Sequence, residues 1–169
     1  MELETPRLCM RDFLLSDAHD LHEILGDGET MAYSEPPYSL EKTKDFLKDF
    51  CIRRKGAVAA VHKDSGKVIG YILFHKTGEE AYELGWFFNR KYWGQGYAFE
   101  ACRAVTEHAF SVLKAQRLFA ETADTEKSLG LMKKLGMQWE GTEVCKDGDG
   151  LLQVYGLSAS EWRAQKPCL

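Results

Sequence analysis

The stretch Asn89-Arg90-Lys91-Tyr92-Trp93-Gly94-Gln95-Gly96-Tyr97-Ala98 sets two glycines between an apolar run and the start of a long helical pattern. Glycine lets backbone N–H groups approach an anion closely. The first turn of a helix adds unpaired N–H groups and the positive end of its dipole. Together they attract phosphate, and a diphosphate-bearing ligand is the chemistry this loop predicts. Gly-x-Gly also serves as a tight strand-to-helix turn with glycine for geometry only, and the residues alone leave both readings open. Two other phosphate loops are excluded. A dinucleotide fingerprint needs a third glycine where Phe99 stands, and Gly-x-x-x-x-Gly-Lys-Ser/Thr occurs nowhere in the chain.

The loop needs a strand before it and a helix after it, and the patterning supplies both. Residues 57–62, 68–75 and 81–88 are rich in β-branched and aromatic side chains. The first two are joined by Asp64-Ser65-Gly66-Lys67, so the three read as an antiparallel meander. From residue 97 to 113 the apolar positions keep to one helical face. A strand at 117–122, a helix at 125–135 stopped by Gly136, and two strands flanking Asp147-Gly148-Asp149-Gly150 follow. Ahead of the meander stand a strand at 8–13, a helix capped by Ser16 or Asp17 and running to Gly26, and a second helix after Ser39. The order β, α, α, β, β, β, α, β, α, β, β predicts an α+β, or mixed α/β, architecture with one β-α-β crossover through the long helix.

With 169 residues, 44% hydrophobic and 28% charged, the chain suffices for one core and is expected to form a single domain over residues 1–169. A net charge of -4 gives no basic field for a polyanion, so nucleic acid is not an expected partner. No segment offers the ~18 apolar residues of a bilayer span, and a soluble, cytoplasmic protein without membrane contact is expected. Cys9, Cys51, Cys102, Cys145 and Cys168 are odd in number and widely spaced, which fits reduced thiols. His19 and His22 share a helix face, but an exposed polar face explains them and no metal is expected.

The chain resembles the GNAT superfamily of N-acetyltransferases. Their phosphate loop reads Gln/Arg-x-x-Gly-x-Gly/Ala at a strand-to-helix junction, and Lys91-Tyr92-Trp93-Gly94-Gln95-Gly96 matches it with Lys in first place. Thr5-Pro6-Arg7-Leu8 with Arg11 and Asp17-Ala18 is similar to the opening of the branch that acetylates ribosomal-protein N-termini at alanine or serine. Pro36-Pro37-Tyr38-Ser39, Trp93-Gly94-Gln95-Gly96-Tyr97-Ala98 with Glu100-Ala101, and Ser128 ahead of Lys134-Leu135-Gly136-Met137 match that branch too. The resemblance implies a mostly antiparallel twisted sheet of about seven strands flanked by about four helices. It also implies a direct acetyl transfer from acetyl-CoA to a primary amine, either a protein N-terminus or a small molecule.

Under that resemblance the pantetheine arm pairs with the strand ending Trp86-Phe87-Phe88. The cofactor-binding set is then Trp86, Phe87, Phe88, Lys91, Trp93, Gly94, Gln95, Gly96, Tyr97, Ala98 and Thr125, with the diphosphate on the amides of residues 94–98. Arg90, Arg103, Lys127 and Lys133 all suit the 3'-phosphate, each equally well explained as a solvated surface residue, and none is assigned. Period two sets Glu83, Gly85 and Phe87 on one strand face, and the family often carries a base on this strand. Glu83 is therefore either that base or a surface carboxylate. The family's acidic tyrosine is matched by Met132, so Ser128 becomes the expected proton donor to the leaving thiolate, unless it bonds only locally at its helix start. Thr125 stands where the motif has asparagine, and it either meets the pantetheine or caps the helix. Cys102, on the apolar face of the long helix, reads as a structural thiol.

The acceptor site is expected between the early helices, with residues 33–38, and the last hairpin, residues 144–155. Glu29, Glu35, Glu143, Asp147 and Asp149 supply acids there, which either attract a cationic amine or simply keep the loops soluble. Trp139 and Trp162 are candidate interface residues for a monomer or homodimer. The alternative function is a non-catalytic acyl-CoA sensor on the same fold, and the remaining one an unrelated α+β domain whose glycine loop is only a turn.

Overall fold

The computed structural model describes residues 1–124, 126–145 and 150–165. The predicted meander forms β3 (Ala57–His62), β4 (Val68–Lys76) and β5 (Ala81–Phe88), preceded by β1 (Leu3–Glu4) and β2 (Leu8–Arg11). With β6 (Arg117–Thr122), β7 (Gln138–Val144) and β8 (Leu151–Ser158), they make one eight-stranded sheet in the order β1-β2-β3-β4-β5-β6-β8-β7. Each neighbouring pair is antiparallel except β5 and β6, which run parallel. That parallel pair is the expected crossover, made through α3 (Tyr97–Ser111).

The sheet is covered on both faces, which is why β3 and β4 read as continuous apolar runs. Val58 and Ala60 pack in the cluster that includes Ala101, Cys102, Val105 and Ala109 of α3. Ala57 and Ala59, one residue out of phase, pack with Leu21, Ile24 and Leu25 of α1 (Ala18–Leu25) on the other face. The four α3 residues are small or slender and wholly buried, so this helix lies close against the sheet. Gly70 opposes Phe88 across β4 and β5, and a Cβ there would lie 2.3 Å from the Phe88 ring. Its bare backbone gives Phe88, the last residue of β5, a place to lie.

The structure differs from the sequence-based expectation at several points. Eight strands and five α-helices occur among the described residues, against about seven and four. The additions are β1, only two residues long, and α5 (Ala159–Gln165). The second helix is α2 (Leu40–Phe46), capped by Ser39 as expected, and it continues as a π-helical turn, Leu47–Arg53, that keeps Leu47 and Cys51 in the core. Asp17 does not cap α1 with its side chain. Its carboxylate takes the Leu14 N–H at 2.8 Å and a two-pronged ion pair from Arg11 at 2.8 and 2.9 Å. The last long helix, α4 (Lys127–Lys134), starts later than residue 125. Trp162 is buried and stacks on Phe110, so of the two tryptophans considered for an interface only Trp139 is exposed.

Candidate active site

The pairing of β5 with β6 is short. Ala81, Tyr82 and Glu83 pair with Arg117, Leu118 and Phe119, and beyond them β6 continues along β8 while β5 stays with β4. Among the described residues no strand lies beside this edge of β5 from Leu84 onward, and a cleft of about 870 Å3 opens there. The unpaired edge offers backbone N–H and C=O groups to an extended ligand. Glu83, Trp86, Phe87 and Phe88 line the cleft, as do Trp93, Gly94, Gly96, Tyr97, Ala98 and Ser128.

Gly94 and Gly96 hold φ of 72° and 84°, the left-handed region that side chains with a Cβ rarely enter. Gly96 is the N-cap of α3, and among the described residues no side-chain hydrogen bond caps the first turn. The N–H groups of that turn are thus left for a ligand or water. The Trp93 indole N–H donates to the Phe88 carbonyl at 2.7 Å, tying the loop to the strand end, and Lys127 Nζ stands 4.4 Å over the Trp93 ring. Lys91 and Gln95 lie outside the cleft lining. The Lys91 N–H donates to Asn89 Oδ1 at 3.1 Å and the Gln95 side chain to the Lys91 carbonyl at 3.1 Å, so both shape the short 3-10 turn Arg90–Tyr92. Of the four cations considered for a 3'-phosphate, only Lys127 lines the cleft.

Glu83 faces the cleft where β5 and β6 part. His75 is its direct partner across β4 and β5, with Nε2 3.4 Å from Glu83 Oε2. Both side chains are about one-third exposed, at 35% and 30%. His75 escaped the sequence reading because cross-strand partners depend on register, which alternation alone does not set.

Asp124 escaped it as well. Its carboxylate accepts the N–H groups of Glu126, Lys127 and Ser128 at 2.9, 3.1 and 3.1 Å, so it caps α4. Burial raises its pKa, but these bonds, with a contribution from the Ser128 hydroxyl, outweigh burial and hold it below the usual aspartate value. A depressed folded-state pKa gives stability that is present above the unfolded pKa and is lost as pH falls through the folded one. Asp124→Ala is expected to lower stability at pH 7 by about 1–2 kcal/mol. The gap from the parent should narrow below about pH 4. Denaturant melts at pH 7 and pH 3 check this. Thr125, the expected pantetheine or capping residue, lies outside the described residues. Met132 is fully buried in the α3-side core and presents nothing to the cleft.

The cleft is also lined by Glu29, Thr30, Ala32, Tyr33 and Ser34, and by Leu152 of β8. Tyr33 is 66% exposed and Leu152 partly so, which leaves an open mouth on this side of the cleft. Glu35 and Glu143 are not in the lining, and Asp147 and Asp149 lie outside the described residues. Glu35 instead accepts from Lys42 and the Tyr38 hydroxyl, at 2.9 and 3.0 Å, while burial with that carboxylate pushes the Tyr38 phenol up to about 12. Cys102 is buried, and burial drives its thiol pKa far up, which fits a structural thiol. Among the described residues no group of three or more His, Cys, Asp or Glu is placed to hold a metal. No helix among them is long and apolar enough to cross a membrane.

The family described as acetyltransferase (GNAT) domain matches residues 7–138. The N-acetyltransferase YnaD of Bacillus subtilis is 36% identical over 149 residues, 83% of this chain and 85% of that one. A GNAT-family acetyltransferase of Bacillus anthracis superposes with a TM-score of 0.86 at 29% identity, over 95% of this chain and 99% of the other. The ribosomal-protein-S5-alanine acetyltransferase of Vibrio fischeri gives 0.78 over 99% and 100% of the two chains, and at 20% identity it shares the fold. The chain belongs to the GNAT acetyltransferase family. Enzymes of this family generally use acetyl-CoA, and the cleft fits such a ligand. It has an open sheet edge for amide groups, apolar walls, and an uncapped helix start at the end where phosphates would lie.

Proposed function

We propose that this chain transfers an acetyl group from acetyl-CoA directly to a primary amine in a ternary complex. The observation that carries this reading is the parting of β5 from β6 beside an uncapped, glycine-started helix. A sheet edge and an anion site thus share one cleft. Bound acetyl-CoA supplies an acetyl thioester, activated toward amines. The free backbone of residues 84–88 pairs with the pantetheine arm, the amides of residues 94–98 hold the diphosphate, and Lys127 meets an outer phosphate.

An incoming amine must first lose a proton, since a lysine side chain has a pKa near ~10.4 and an α-amine near ~8. Glu83 takes that proton, directly or through one water, at the point where the strands part. His75 fixes the carboxylate from across the strand. Ser128, on the first turn of α4, donates a hydrogen bond to the departing sulfur and stabilises the thiolate without giving up its proton. Ser128→Ala should lower kcat by up to about a hundredfold, the low end for loss of one hydrogen bond to a developing anion because a thiolate leaves readily. An unchanged kcat would return Ser128 to a purely local role with Asp124.

The acceptor enters from the Glu29–Tyr33 mouth, where acidic and aromatic side chains suit a cation. The likeness to a ribosomal-protein acetyltransferase favours a peptide N-terminus over a small amine. Thiol release from acetyl-CoA, measured with alanine- and serine-ended peptides beside a polyamine and an aminoglycoside, tests the reading. Turnover with at least one amine is expected. Acetyl-CoA binding with no thiol released by any amine would instead make the chain an acyl-CoA sensor, consistent with the buried methionine at position 132.

A further inference from the structure

Arg7 lies outside the cleft but grips the glycine loop from behind. Its Nη1 donates to the Gln95 carbonyl at 2.9 Å, and its Nε and Nη2 both reach Glu100 Oε2 at 2.7 Å. The guanidinium carbon stands 4.1 Å from the centre of the Tyr97 ring. Glu100 is held from a second side by the Thr5 hydroxyl at 2.6 Å and the Arg7 backbone N–H at 2.9 Å. Tyr97 is held in turn by contact of its hydroxyl with His62 Nε2 at 3.1 Å. Two residues of the turn between β1 and β2 thus converge on the loop and first helical turn some ninety positions away, and none of this follows from local sequence pattern.

The geometry has a consequence for the cleft. A trans peptide is planar, with its C=O and the next N–H on opposite sides. No peptide bond in the described chain is cis, so the contact between Arg7 and the Gln95 carbonyl turns the Gly96 N–H away from Arg7. Gly96 itself lines the cleft. Glycine visits positive and negative φ with similar ease, so residues 94–96 do not choose this orientation by themselves. Glu100 neutralises the guanidinium, which leaves its carbonyl contact, rather than its charge, as the working part.

We propose that Arg7 is a positioning residue: by holding the Gln95 carbonyl it aims the Gly96 N–H into the cleft, ready for the diphosphate of the acyl donor. This rests on the acetyl-CoA reading of the cleft. Lysine cannot replace arginine here, because one ammonium cannot bond a carbonyl and a carboxylate in the same fork geometry.

The test compares the parent chain with Arg7→Lys, using acetyl-CoA and acetyl-pantetheine, which keeps the thioester but lacks the diphosphate. Arg7→Lys should weaken acetyl-CoA binding about tenfold, the worth of one hydrogen bond to a charged group, and leave acetyl-pantetheine binding unchanged. Without any ligand, the Glu100 N–H, which bonds the Gly96 carbonyl at 3.0 Å, should exchange hydrogen faster in the variant, while amides later in α3 keep the parent rate. Equal acetyl-CoA affinity, or equal weakening of both ligands, overturns the proposal. If Arg7→Lys loses its fold, Glu100→Gln, which removes the anchor of the fork, is judged by the same outcomes. A parent chain that binds no acetyl-CoA overturns the cleft reading and this proposal with it. A parent that binds and an unaffected variant overturn the proposal alone.

Discussion

Glu83→Gln is expected to lower kcat by about 10²- to 10⁴-fold, the usual worth of a positioned base, while acetyl-CoA affinity stays within about threefold of the parent. Glutamine matches glutamate in shape and keeps a contact to His75, so β5 and its pairing should survive the change. What it cannot do is accept a proton. The effect should be largest with acceptors of high pKa, because these depend most on the base. Steady-state rates across pH, with acetyl-CoA binding measured separately, check this. A variant whose pH–rate profile matches the parent would remove Glu83 from the mechanism and leave it a surface carboxylate paired with His75.

Gly96→Val should weaken acetyl-CoA binding by at least about a hundredfold, the equivalent of losing two charge-assisted hydrogen bonds. Gly96 holds φ of 84°, and a β-branched residue there is strained whatever the space around it. Its Cβ would stand 3.5 Å from Arg7 Nη2, an ordinary contact, so the strain lies in the backbone and not in the space around it. Relief requires the peptide at the start of α3 to rotate, which takes first-turn N–H groups out of the cleft. The buried side of α3 is untouched, so the melting temperature should fall by only a few degrees. Calorimetric titration and a thermal melt on the same sample separate the two effects. Parent-like affinity would show that the loop serves only as a turn.

The elements that frame the site were legible because they are long enough to show a period. Residues 57–88 form runs of apolar, β-branched and aromatic residues broken by recognisable turns, and α3 carries small apolar residues on one face, so the meander and the crossover followed. The glycine loop was legible as a motif placed between those two patterns. Two-residue β1 shows no period, and α5 is marked only by a tryptophan that needed a partner, Phe110, to be read as core. The Asp124 cap of α4 was hidden because its carboxylate reaches over a turn to the N–H groups of residues 126–128, and only the turn geometry sets that reach. His75 and Arg7 were hidden for a different reason. Their partners, Glu83 and Glu100, are set by strand register and by the docking of β1 and β2 against α3, which no local pattern encodes.

The central claim is that one cleft, opened by the parting of β5 and β6, takes acetyl-CoA through the loop at residues 94–98. Calorimetric titration of the purified chain with acetyl-CoA, and with ATP and NAD as controls, tests it most directly. Saturable binding of acetyl-CoA, with neither control nucleotide bound comparably, is the result this account predicts. A folded sample that binds no acetyl-CoA, or binds all three alike, would contradict it.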